Sequence, residues 1–285
     1  MRAGELAMSI EDRFAVSSWS VHRLLGTTHP HDLESHAVPP AQPTFGPGSI
    51  TLLDLPAQVA ANGLKRLEIC SFHFPSRERA YLAELKHALA SAGVRLQTLL
   101  IEAGDLSNPA TATRDLDWIA GWVEVANEIG AEHARVIAGK QKPTPEALAL
   151  SAKGLNELAR RNAGSPVKLV TENWFDLLSA PGHVNRLLDV TEGRIGLNGD
   201  FGNWSAPGKY DALAQIFGRA SLCHAKASFA AGAIDADDYG RCVDVAEAAG
   251  YEGPYTLIFD SESPGEWEGV AIERALIRDR LAAAA

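Results

Sequence analysis

Glu172, Asp200, His224 and Asp260 each close an apolar run, after VKLVT, IGLNG, SLC and PYTLIF, and successive members lie about one strand-and-helix unit apart. A carboxylate at the end of a buried run is costly unless it is paired, hydrogen-bonded or bound to a metal. Carboxylates and one imidazole together make an oxygen-and-nitrogen donor set, which suits one divalent ion such as Mn2+, Mg2+, Co2+ or Zn2+. Such a set supports removal of a proton beside a carbonyl: the ion stabilises the charge of the enediolate, and a carboxylate takes the proton. Glu172 and Asp260 on opposite sides would serve both faces of the planar intermediate, as epimerisation requires, whereas aldose-to-ketose isomerisation needs one face. Glu262 lies two residues past Asp260, on the same face of an extended strand, and is the other candidate proton carrier.

Further candidates surround these. Lys226, two residues after His224, would bind a hydroxyl or phosphate, or else extend to the rim with its charge in water. Glu68 and His73 fall near the end of the second strand and would contact substrate or serve structural hydrogen bonds. Trp19, Trp174, Trp204 and Phe72 also sit near strand ends, where aromatic faces stack on sugars or pack the core, and Asn203 follows Asp200 in DFGNW. Arg135 reads as a solvent or core-edge charge. Alternation directs Leu222 and His224 inward and leaves Cys223 as an apolar filler facing the helices.

These residues need a scaffold that presents strand ends together. Strands are expected at Phe14 to Trp19, LKRLEICSFHF, VRLQTLLIE, HARVIAG, VKLVTEN, RIGLNGD, SLCHAKA and PYTLIFD. Amphipathic helices alternate with them, several closed by Gly63, Gly93, Gly130 or Gly164. Eight such pairs in a chain of 285 residues give a single (β/α)8 barrel, whose functional groups gather at the carboxyl ends of the strands. No glycine-rich dinucleotide fingerprint follows an early strand, which disfavours an open doubly wound sheet. Residues 1–12 read as a loose leader and 13–285 as the barrel. A long loop insertion at about 25–48, rich in proline and carrying His29, His31 and His36, is expected to fold over the site as a mobile flap.

The formal charge of −10, with no long Lys/Arg run, argues against a nucleic-acid groove. The apolar runs are too short to cross a bilayer, and the first dozen residues lack the pattern of a secretory signal. Three cysteines have neither the number nor the spacing of a disulfide framework, so a reducing cytoplasm is expected.

The motifs TENW, DFGNW, CHAKA and AAGYEGPYTLIFDSE, with SWS and LEI in the first two strands, resemble those of the sugar-phosphate isomerase/epimerase superfamily, the xylose-isomerase-like barrels. That resemblance implies a TIM barrel and a divalent metal held by Glu172, Asp200, His224 and the acid of strand eight. It also implies proton transfer on a small-molecule sugar or keto-acid, in a chain free to form a homo-oligomer. Dehydratases of the same fold would use the same enolate, and a barrel that had lost catalysis would bind a carbohydrate or a protein. The abasic-site endonuclease branch would need more histidines and a basic surface. Two departures stand out: Asp260 replaces the usual Glu, shortening its reach by about 1.5 Å, and Ala227 replaces an acid after His-x-Lys.

Overall fold

The computed structural model describes residues 9–36, 38–205 and 207–284. Eight parallel strands close a barrel: β1 (Phe14–Ser17), β2 (Arg66–Cys70), β3 (Arg95–Ile101), β4 (His133–Val136), β5 (Lys168–Glu172), β6 (Gly196–Asp200), β7 (Ala220–Lys226) and β10 (Tyr255–Ile258). Neighbours follow chain order, and closure comes where β1 pairs with β10, Phe14 opposite Tyr255. A two-stranded hairpin, β8 (Phe229–Ala230) with β9 (Ala233–Ile234), follows β7. It is too short for sequence periodicity to reveal.

The surrounding helices form for the reasons their sequences suggest. In the helix Ala112–Ile129, Trp118, Ile119, Trp122, Val123, Ala126 and Ile129 recur at helical spacing and are all buried, and Gly130 ends the helix at φ 79°. In the helix Pro145–Arg161, Thr144 caps the first turn by accepting from the Ala147 N–H, and Pro145 supplies a residue that needs no partner there.

Strand ends place the chemistry. Glu172 and Asp200 are the last residues of β5 and β6, and the register sets Asp200 opposite His224 on β7 and Glu172 opposite Asn198 on β6. Strand eight stops at Ile258, short of the expected Asp260. Alternation therefore brings Ile258 to the barrel mouth, but two residues later the chain has left the sheet and Asp260 is exposed.

Of the expected leader, residues 1–8 lie outside the described residues. Ser9 caps a short 3-10 turn, Ile10–Arg13, whose Asp12 meets Lys65 at 3.0 Å. In the insertion, the described residues carry one isolated bridge, Thr28 to Gln42, and are otherwise irregular. The segment is nevertheless docked. His31 Nε2 lies 2.8 Å from Ser71 Oγ and the ring packs on Trp118 and Trp122, while Phe45 lies against Trp19 and His22.

Candidate metal centre

The carboxylates of Glu172 and Asp200 and the imidazole of His224 converge at the mouth of the barrel, with one ligand atom from each lying within 4.8 Å of the others. All three are buried. His224 Nδ1 is 3.4 Å from Glu172 Oε2 and 3.6 Å from Asp200 Oδ2, while its Nε2 is 2.9 Å from Glu68 Oε2. A ring nitrogen held by a carboxylate leaves the other nitrogen facing the acids, which is how histidine is oriented for a metal. Asp200 Oδ1 accepts from the Gly202 and Asn203 N–H groups at 2.6 and 2.7 Å, which leaves Oδ2 toward the trio. Two carboxylates and an imidazole nitrogen fit a hard or borderline divalent ion.

Each of these groups lies within the field of the others' charges. Burial works against the protonated form of His224, but Glu172 and Glu68 more than reverse it and raise its pKa well above the ordinary value. Burial would likewise raise the Glu172 carboxyl, yet His224 and the Arg135 guanidinium hold it at about 2. Glu68, fully buried, overcomes the same penalty through His224, Gln97 and Thr98 and stays below its usual range.

Above the trio lies a cavity of about 220 Å3, lined on its polar side by Glu102, Arg135, Glu172, Asp200, Asn203, His224 and Lys226. Trp19, Phe72, Leu100, Trp174 and Ile258 supply apolar wall. Of the expected substrate contacts, Lys226, Asn203, Trp19 and Trp174 line it. Asn203 Nδ2 also donates to Glu172 Oε1 at 2.8 Å. Glu68 lies beneath the trio, where it touches His224 rather than the cavity, and His73 is buried behind the wall with Nδ1 2.8 Å from Ser18 Oγ. Asp260 and Glu262 are exposed, and Asp260 accepts from Lys226 Nζ at 3.1 Å. Among the described residues of the insertion none lines the cavity; Phe45 instead packs on Trp19, and the His29 N–H donates to the Phe72 carbonyl.

Arg135 is the correction of most consequence. It is not an edge charge but a side chain 2% exposed inside the mouth, with Nη2 donating to Glu102 Oε1 at 2.5 Å. Its Nε makes ion-pair contact with Glu172 at 3.2 Å without hydrogen-bond alignment, and its flat face lies 5.1 Å from the Trp174 ring centre. The signal was present in sequence: VRLQTLLI runs into Glu102 as VKLVT runs into Glu172, and an arginine within a buried strand requires an acid.

A family model described as xylose isomerase-like TIM barrel matches residues 56–279, most of the chain. The protein belongs to this family. Solved structures of xylose isomerase-like barrels and related enzymes share the fold at low identity. A xylose isomerase-like TIM barrel protein from Mycobacterium smegmatis in complex with magnesium has TM-score 0.62 and 17% identity, covering 80% of this chain and 89% of that one. L-ribulose 3-epimerase has TM-score 0.63 and 17% identity, covering 95% and 93%. D-psicose 3-epimerase with D-tagatose from Clostridium cellulolyticum H10 has TM-score 0.63 and 12% identity, covering 95% and 98%. No curated protein matches the chain in sequence. Among the described residues, no helix is long and apolar enough to cross a membrane.

Proposed function

We propose that this barrel is a divalent-metal-dependent isomerase or epimerase of a sugar or polyol, acting by proton transfer through an enediolate. The observation that carries the proposal is the convergence of Glu172, Asp200 and His224 at the mouth of a barrel of this family. Structural relatives named as sugar 3-epimerases, and one named in complex with magnesium, support it.

Glu172, Asp200 and His224 would hold the ion, which when bound supplies Lewis-acid stabilisation of negative charge on neighbouring substrate oxygens. The protein's own residues do the rest. Glu68 fixes the His224 ring through Nε2, and Asn203 and Asn198 steady the Glu172 carboxylate. Glu172, ionised at neutral pH, is the acceptor for the proton beside the carbonyl. Trp19 and Trp174 supply apolar wall beside the sugar and keep water from the reacting carbon. Epimerisation needs a second proton carrier. In this proposal Asp260 fills that role, and that of a fourth ligand, while keeping its ion pair with Lys226, with Glu262 next along the chain. The three free cysteines are all buried, in keeping with a cytoplasmic enzyme.

The test is to incubate Mn2+-loaded protein with ketopentoses and ketohexoses in D2O and follow deuterium at the carbon beside the carbonyl by NMR. Incorporation is expected, falling by about 10²- to 10⁴-fold in Glu172→Gln. Absence of incorporation across the panel would overturn the proposal.

A further inference from the structure

Each cation that faces the cavity is already met by a carboxylate. Arg135 is held by Glu102 and Glu172, and Lys226 by Asp260. The trio contributes two carboxylates, matching the charge of one divalent ion, while Glu68 beneath adds a further negative charge. Among the described residues lining the cavity, none is a cation left to neutralise an incoming phosphate or carboxylate.

Glu102 is central to this balance. It directly follows Ile101, the last residue of β3, lines the cavity, and is bound through Oε1 to Arg135. An ionised carboxylate only accepts hydrogen bonds, so its other oxygen suits a hydroxyl O–H and repels phosphate or carboxylate oxygens, which are themselves acceptors. It takes Arg135 Nη2, while Nη1 donates to the Ile101 carbonyl and Nε faces Glu172, so the guanidinium has each nitrogen already engaged by an oxygen of the protein. The cavity of about 220 Å3 is small beside the roughly 300–1,000 Å3 of drug-sized ligand sites, so a ligand seated in it lies close to Glu102.

We propose that Glu102, clamped by Arg135, is a specificity-determining residue that makes this cavity select an uncharged polyhydroxylated ligand over its phosphorylated or carboxylated counterpart. The proposal rests on the functional reading above in taking the ligand to be a sugar. It assigns Glu102 no part in the proton transfer.

The experiment measures binding and turnover of D-fructose against D-fructose 6-phosphate, and of D-ribulose against D-ribulose 5-phosphate, by the Mn2+-loaded protein and its Glu102→Gln and Glu102→Asp variants. The parent should bind the free sugars at least about ten-fold more tightly than the phosphates. Glu102→Gln should weaken the free sugars by about ten-fold, as expected for loss of one hydrogen bond to a charged group, and should strengthen the phosphates, with Mn2+ affinity unchanged. Glu102→Asp should retain the parent preference. A parent that binds phosphates as tightly as free sugars, or a Glu102→Gln variant that weakens both alike, overturns the proposal. Selective binding of free sugars without deuterium exchange would overturn the functional reading and leave this one standing. Exchange without selectivity would overturn this one alone, and failure of all four ligands to bind would overturn both.

Discussion

His224 carries opposing demands that make its pH behaviour informative. Glu172 and Glu68 raise its pKa well above the ordinary value, so at neutral pH the metal-free ring is protonated. A metal bound at Nδ1 must displace that proton, and affinity should therefore rise with pH, by about ten-fold per unit, until His224 loses its proton unaided. Glu172, held at about 2, stays ionised throughout and adds nothing to the slope. Mn2+ titrations between pH 6 and 8 check this; a flat profile would remove His224 from the ligand set. Glu68→Gln should weaken Mn2+ by about 10- to 100-fold at the alkaline end, because a neutral partner on Nε2 makes the ring a poorer ligand. Unaltered affinity there would show that Glu68 does not orient the ring.

The elements explain which of these roles could be read from sequence. Eight strands and their helices were legible because helical spacing recurs between glycine stops, and Gly130 ends the helix Ala112–Ile129 as expected for that reason. Glu172, Asp200 and His224 were legible because each closes or nearly closes its strand, within reach of alternation. Asp260 was placed by carrying that alternation past Ile258, where the sheet ends, and parity has no meaning beyond the last ladder pair. Arg135 was misplaced because its charge outweighed its position in β4, between buried Ala134 and Val136. Its burial has a measurable consequence. Arg135→Leu would leave two carboxylates, 12% and 4% exposed, without their shared cation. A loss of about 3 kcal/mol in urea unfolding is expected, and a loss under about 1 kcal/mol would mean the pairing matters little to the fold.

At the scale of the whole molecule, an acidic chain with a net charge of −10 closes one barrel, and the same strands that seal its core present the trio at its mouth. The insertion braces that mouth from outside, so excising 27–45 should uncover the Trp118 and Trp122 faces where His31 packs and the Trp19 edge that Phe45 covers. Lower thermal stability and a raised KM with kcat little changed are expected, and unchanged kinetics would deny the loop any part in shaping the site. All of this turns on an ion at the trio, which elemental analysis of protein equilibrated with Mn2+ and passed through a desalting column tests most directly. The expected result is one ion per chain in the parent and none in a Glu172→Gln, His224→Ala double variant that stays folded; full occupancy in the double variant would contradict a metal centre at these residues.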